Sequence, residues 1–248
     1  NGTAEEKVLA EKYDKLWKGI EWNWYTKGGE DVLYWHWSPN YAWDMNFKLE
    51  GYNECLITYV MAASSPTHTI SRETYDKGWA RNGKIISDKV AYGFPLILKH
   101  NGAENYGGPL FWAHYSYLGL DPNGLKDQYA DYQKLNYDHA MINYSYAVEN
   151  PKAYKAYGKD FWGLTASYSR NENGSTGYNA HMPGNDVGVV SPTAAISSIV
   201  YTPQESIAFI RNLYENYPDS WGLAGFYDAL SPHYNWTAKW YLAIDQGP

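Results

Sequence analysis

At 248 residues with 44% apolar side chains, the chain is long enough to bury a substantial core and too apolar to remain disordered. Its net charge of −7, from 20 Lys and Arg against 27 Asp and Glu, argues against nucleic acid, whose binding is driven by basic side chains displacing counterions. Aromatic residues make up 18%, with 26 Tyr and 12 Trp against 6 Phe. The arginines are Arg72, Arg81, Arg170 and Arg211 alone, few hands for planar recognition of phosphates or uronates. No apolar run approaches the roughly 20 residues of a membrane-spanning helix; the longest, Cys55 to Ala63, is interrupted by Thr58 and Tyr59. A single cysteine, Cys55, excludes an internal disulfide and a Cys-cluster zinc site. There is no signal peptide, and the first residue is Asn1 rather than Met, so a processed or trimmed piece is expected.

Helix signals dominate the chain. Thr3-Ala4-Glu5-Glu6 has capping-box spacing and opens a helix predicted over Ala4 to Lys18, with apolar positions at Val8, Leu9, Leu16 and Trp17. Gly51 to Ser64 reads as a second helix, apolar on every face and therefore buried all round, ended by Ser65-Pro66. A short aromatic helix is predicted over Pro109 to Leu118, closed by Gly119, and a longer one over Asp127 to Val148, stopped by Asn150-Pro151. Ser191-Pro192-Thr193 starts a small-residue helix to about Val200. Thr202-Pro203-Gln204-Glu205 then combines an N-cap, a first-turn Pro and an acid at the third position, opening a helix to about Tyr217. Strand signals are confined to Thr165 to Tyr168 and Gly177 to Ala180. These flank the turn-rich Asn171-Glu172-Asn173-Gly174-Ser175 and predict a surface hairpin. Trp162-Gly163-Leu164 recurs as Trp221-Gly222-Leu223, with Tyr92-Gly93-Phe94 as a looser copy, which suggests stacked helical hairpins closing on themselves or chance recurrence in a chain rich in these residues. No linker divides the chain, so residues 1–248 read as one domain.

Trp and Tyr pair a flat apolar face with a polar edge, which suits stacking on sugar rings as well as core packing. Trp22, Trp24 and Tyr25, and Tyr34, Trp35, His36 and Trp37, lie in loop-like sequence where packing demands them less. Glu54, in the first turns of the second helix, suits a general acid raised by its aromatic surroundings, or a plain first-turn acid stabilised by the helix dipole. Asp245 resembles the N-cap of a helix just beginning, or an acid with a chemical task. Asp44, Glu104, Asp186 and Asp228 lie in aromatic or Gly-rich loops and suit sugar hydroxyls or turn and cap positions. Trp35, Trp37, Trp43, Tyr52, Trp112, Trp162 and His233 complete the expected substrate-binding set. The histidines are scattered, with no HxxxH or HxH pair, and no Gly-x-Ser-x-Gly elbow occurs, so neither a histidine zinc site nor Ser-His-Asp catalysis is expected. Gly28-Gly29 and Gly107-Gly108 lack the spacing of phosphate loops.

Tyr52-Asn53-Glu54-Cys55-Leu56-Ile57 through Ser65-Pro66-Thr67-His68, Gly107-Gly108-Pro109-Leu110-Phe111, Trp162-Gly163-Leu164-Thr165-Ala166, Ser191-Pro192-Thr193-Ala194-Ala195, Gly225-Phe226-Tyr227-Asp228-Ala229 and Tyr241-Leu242-Ala243-Ile244-Asp245-Gln246-Gly247-Pro248 occur in order over essentially the whole chain. Together they resemble the glucoamylase-like domain family of bacteria, and within it the endo-β-1,2-glucanases of the Bacteroidetes type. The resemblance implies an all-α (α/α)6 toroid, in which the hairpin read above is a small insertion. It also implies inverting hydrolysis of a neutral, β-1,2-linked glucan, no metal or other cofactor, and a periplasmic or secreted location. Carried over by motif, Glu54 is the general acid and Asp245 a general base or water-positioning acid. In an inverting enzyme the two carboxyls stand roughly 6.5–9.5 Å apart, a limit relaxed when the base acts through a substrate hydroxyl. In the family one helix bearing further site acids precedes the stretch that begins here, and another follows the Gly-Pro. The chain is therefore expected to be truncated at both ends, to form an incomplete ring, and to be weak or inactive by itself. Two competing classes are a noncatalytic glycan-binding protein and a polysaccharide lyase using Tyr and His, the latter disfavoured by the scarcity of Arg.

Overall fold

The computed structural model describes residues 2–246. Gly247 and Pro248, the end of the last motif, lie outside the described residues. Contacts group into two compact units, Asn1–Ile85 and Ile86–Pro248.

In the first unit, α1 (Ala4–Gly19) carries the expected capping box: Thr3 Oγ1 accepts the Glu6 N–H at 3.2 Å and Glu6 Oε2 accepts the Thr3 N–H at 2.7 Å. None of its residues is buried. Its end is tied down by the Trp17 indole N–H to the Met61 carbonyl at 3.0 Å and by the Thr67 hydroxyl to the Lys18 carbonyl at 2.6 Å. The second helix, α2, spans only Leu56–Ser64. Asn53 Oδ1 takes the Cys55 N–H at 2.9 Å, a local turn that competes with helix and delays its start. Glu54 therefore precedes α2 instead of lying in its first turns. Only Leu56, Tyr59 and Ala62 of α2 are buried, so a single face packs inward, and the expectation of burial on every side is corrected. Tyr59 anchors that face: its hydroxyl donates to the Leu49 carbonyl at 2.8 Å and accepts the Leu33 N–H at 3.1 Å, while its ring lies 5.4 Å from that of Trp79.

The second unit is built on α3 (Tyr132–Glu149), of which ten residues are buried. It starts at Asp131, which caps the Lys134 N–H at 3.2 Å, and not at Asp127. The Asp127 carboxylate instead closes a turn by accepting the Tyr129 and Ala130 N–H groups at 2.7 and 2.8 Å. Inside α3, buried Asn143 clamps the Leu164 peptide from both sides, Oδ1 accepting its N–H at 3.0 Å and Nδ2 donating to its carbonyl at 3.2 Å. Strands β1 (Val90–Ala91) and β2 (Phe94–Pro95) precede α3. The predicted hairpin is present as β3 (Ala166–Arg170) and β4 (Thr176–Ala180), in antiparallel register from Ala166 opposite Ala180 to Arg170 opposite Thr176. Next come α4 (Pro192–Ser197) and α5 (Pro203–Asn216). Thr202 precedes α5 as expected, but its hydroxyl donates to the Ser198 carbonyl at 3.1 Å and does not cap. Strands β5 (Trp221–Gly222) with β6 (Gly225–Phe226) and β7 (Ala229–Ser231) with β8 (Trp236–Ala238) follow, then α6 (Ala243–Gln246). The core joins Leu110, Phe161, Trp162 and Leu164 to α4 and α5 through Ala194, Ala195 and Phe209.

The architecture is thus helix-rich, with antiparallel strand pairs beyond the single hairpin of an all-α reading. Two further expectations are corrected. Pro109 to Leu118 forms two 3-10 turns, Leu110–Ala113 and Tyr115–Leu118, broken at His114, whose φ of −118° leaves the helical range. The Trp-Gly-Leu copies are not structurally equivalent. Trp162 and Leu164 are fully buried, and Gly163 has a φ of +117° where a Cβ would lie 3.0 Å from the Ala195 nitrogen. Trp221 and Leu223, by contrast, sit at an exposed strand turn. Among the described residues no helix is long and apolar enough to cross a membrane.

Candidate active site

The site in the second unit starts from Gly107-Gly108-Pro109. Two buried histidines hold the Gly108 peptide: His100 Nδ1 accepts its N–H at 3.0 Å and His139 Nε2 donates to its carbonyl at 2.8 Å. Their rings are perpendicular, with centroids 4.5 Å apart. Burial holds His100 well below its ordinary range and lowers His139 to about 4, the Gly108 carbonyl opposing the second shift. Position 108 needs glycine, because a Cβ there would lie 2.4 Å from the Trp112 ring. The chain then docks on the segment just before β3 through the Leu110 N–H to the Leu164 carbonyl and the Phe111 N–H to Thr165 Oγ1, both at 3.0 Å. The Tyr201 hydroxyl donates to the Ala113 carbonyl at 2.9 Å, and His114 Nε2 lies 3.1 Å from Ser198 Oγ. These contacts fix the 3-10 turn that presents Tyr115.

Tyr115 donates its hydroxyl proton to Asp245 Oδ1 in a short hydrogen bond. Asp245 is the third residue of α6, an interior position and not the N-cap expected from sequence. A cavity of about 60 Å³ opens beside it, bounded by Phe111, His114, Thr165 and Thr193. Asp228, just before β7, is fully buried. Its Oδ2 accepts the Tyr168 N–H at 2.7 Å and its backbone carbonyl accepts the Ser191 hydroxyl at 2.8 Å. The Asp228 and Asp245 carboxyls lie within hydrogen-bonding reach of each other. Asp228 Oδ1 and Asp245 Oδ2 are both buried and receive no other donor among the described residues. Burial, opposed by the Tyr168 N–H and reinforced by Asp245, pushes Asp228 up to about 7. Burial also raises Asp245, against the opposing effects of Tyr115 and Asp228. The Tyr115 and Tyr178 hydroxyls are raised too, by burial first and then by the carboxylate charge. This arrangement can hold one oriented carboxylate and one buried proton at the edge of a small cavity.

Several expected substrate contacts have structural roles instead. Tyr52 and Trp162 are fully buried and Asp186 is 2% exposed. The Asp186 carboxylate is occupied by the Tyr157 and Tyr146 hydroxyls at 2.8 and 3.0 Å and by the Gly188 N–H at 2.8 Å, so it does not offer itself to a sugar hydroxyl. In the first unit Glu54 is half-buried, and its charge adds to burial in pushing the Cys55 thiol up to about 12. Trp35 and Trp37 are exposed and Trp43 is half-buried. Trp24 joins them, its ring 6.0 Å from Trp37 and 6.2 Å from Trp43, and Asp44 is exposed beside Trp43 in sequence. In the second unit Glu104 is exposed, and Trp112 is half-buried against His100 at 5.5 Å. His233 is exposed, edge-on to Tyr154 at 5.2 Å, with Nδ1 accepting the Lys155 N–H. A larger cavity of about 590 Å³, bounded by Asn216, Asp219, Trp236 and Lys239, contains none of the expected site residues. Sequence reasoning missed Tyr115, Tyr178 and the pairing of Asp228 with Asp245. The partners are far apart in the chain, and nothing local marks them. Among the described residues no group of three or more His, Cys, Asp or Glu is arranged to hold a metal ion.

Comparison with known proteins gives this arrangement a family. The glycoamylase family model, described as putative glucoamylase, matches residues 46–248, and the chain belongs to that family. A solved endo-β-1,2-glucanase from Chitinophaga pinensis, in complex with sophorotriose and glucose, is 55% identical with a TM-score of 0.92, over 99% of this chain and 58% of that one. A solved β-1,2-glucanase from Parabacteroides distasonis is 38% identical with a TM-score of 0.87, over 99% of this chain and 37% of that one. A curated exo β-1,2-glucooligosaccharide sophorohydrolase (non-reducing end) from Parabacteroides distasonis is 40% identical over 265 residues, spanning 98% of this chain and 36% of its own length. The chain thus covers little more than a third of that curated relative.

Proposed function

We propose that the protein is a glycoside hydrolase of β-1,2-linked glucan, built on an (α/α)6 toroid and working with inversion. The observation that carries the reading is the 55% identity, over 99% of the chain, with an endo-β-1,2-glucanase in complex with sophorotriose. Glu54 is the general acid that protonates the leaving oxygen, and Asp245 is the base that activates water, directly or through a substrate hydroxyl. The Tyr115 hydrogen bond supports this role for Asp245, since a donated O–H orients the carboxylate and favours its charged form. Trp35, Trp37 and Trp43 supply ring faces on which glucosyl units stack, and Glu104, Asp44 and His233 supply polar partners at the surface.

The test is incubation of the intact protein with β-1,2-glucan, following released oligosaccharides and the anomer first formed. Release of the inverted anomer is expected, with Glu54→Gln and Asp245→Asn each lowering kcat by roughly 10²–10⁴. No release, or unchanged turnover in Glu54→Gln, refutes the assignment.

A further inference from the structure

Two carboxyl groups buried side by side cannot both be ionised without a cation or a set of donors to stabilise the second charge. Around Asp228 and Asp245 the donors are the Tyr168 N–H, on Asp228 Oδ2, and the Tyr115 hydroxyl, on Asp245 Oδ1. The titratable groups acting with the pair are Tyr115, from its 3-10 turn, and Tyr178, from β4, both neutral hydroxyls. Among the described residues no Lys, Arg or His side chain contributes to either carboxyl. Among the described residues one oxygen on each is buried without a donor, Asp228 Oδ1 and Asp245 Oδ2. A single proton shared by the two carboxyls satisfies both, whereas none leaves two buried acceptors unsatisfied.

We propose that Asp228 is a positioning residue for the reaction: it keeps its proton on Oδ1 and donates it to Asp245 Oδ2, so that the pair works as one monoanion with the charge on Asp245. The placement of the proton follows from solvation. Asp228 is fully buried, with one backbone donor, while Asp245 borders the small cavity and takes the tyrosine. The charge belongs on the better solvated partner. Asp245 is thereby held by an O–H donor on each oxygen. Loss of the Asp228 proton would set two carboxylates against each other and release that hold. The catalytic consequence rests on the hydrolase reading, but the shared proton does not.

The test uses the intact protein as wild type, Asp228→Asn and Asp228→Ala. In the Asn variant the amide oxygen accepts from Tyr168 and the amide nitrogen donates to Asp245, reproducing both bonds without a titrating proton. Its kcat on β-1,2-glucan is expected within about threefold of wild type, and the Ala variant's roughly ten- to a hundredfold lower. The alkaline limb of the wild-type kcat/KM profile should move up by at least about one pH unit in Asp228→Asn. Carbon-13 titration of the Asp carboxyls, on wild type and on the Asn variant once its circular dichroism shows it folded, should find one carboxyl protonated well above the ordinary carboxylate range, lost in the variant. Asp228→Asn as inactive as Asp228→Ala, or a wild-type titration in which both carboxyls ionise in the ordinary range, overturns the proposal. Absence of any turnover by wild type refutes the hydrolase reading alone, and the titration then decides the shared proton.

Discussion

Lowering the pH from 7 to 5 should destabilise the second unit strongly, because three of its histidines are shut away from water in neutral form. His100, His139 and His181 are 0, 1 and 0% exposed. Burial drives His100 well below its ordinary range and lowers His139 and His181 to about 4. The unfolded chain takes up a proton at each near pH 6.5 and the folded chain does not, so their contribution is complete above 6.5 and is lost as the pH falls toward 4. By pH 5 each has forfeited about 2 kcal/mol, about 6 kcal/mol together. Asp228 acts in the opposite sense. With its folded value up at about 7, it binds a proton the unfolded chain lacks, and returns up to about 3 kcal/mol over the same interval. Asp138, Asp186 and Asp245, raised by burial as well, act in the same direction as Asp228. His114, lowered to about 3 by burial, adds to the histidine side, and stability is expected to fall as the pH drops from 7 to 5. Urea unfolding of the intact protein at pH 7, 6 and 5, followed by tryptophan fluorescence, measures it. His139→Gln retains an N–H for the Gly108 carbonyl and should shrink the loss by about 2 kcal/mol. Stability that stays level or rises between pH 7 and 5 would refute the reasoning.

Tyr115→Phe removes the hydroxyl from Asp245 Oδ1 and should lower kcat about tenfold, with the acidic limb of the pH profile displaced upward because the carboxylate loses a donor. Gly108→Ala forces a Cβ against the Trp112 ring and should cost about 1–3 kcal/mol, read as a lower Tm by scanning calorimetry. Asn143→Leu keeps the branched shape of the side chain but leaves the buried Leu164 N–H without its acceptor, while the carbonyl keeps the Leu110 N–H, for an expected loss of about 1–3 kcal/mol in denaturant unfolding.

Local chemistry was the legible part of this chain. Thr3 and Glu6 cap α1 as their spacing dictates, Asn150 and Pro151 stop α3, and Asn171 to Ser175 turns the β3–β4 hairpin. The misreadings arose where side chains compete with the backbone. Asn53 and Asp127 each bind nearby N–H groups and hold their segments in turns, moving two helix starts downstream. Apolar composition alone overstated the burial of α2, since Ile57, Val60 and Met61 are only half-buried. The motif around Asp245 was visible as a candidate site, but its partners were not. Asp228 and Tyr115 reach it from other stretches of chain, and pairing of that kind leaves no periodicity to read. Asp186 looked like an exposed polar ligand because its loop is rich in Gly and Asn. Its occupation by Tyr146 and Tyr157 depends on a fold that brings three segments together.

The tryptophans run from core to surface and give the protein two optical extremes. Trp79 and Trp162 have no accessible surface, whereas Trp35, Trp221 and Trp240 are each more than half exposed. Emission from the first pair should be blue-shifted and shielded from iodide, and emission from the second group red-shifted and readily quenched. A saccharide that stacks on the outer rings will therefore change chiefly the long-wavelength edge of the spectrum, while unfolding will bring all the rings to the exposed limit.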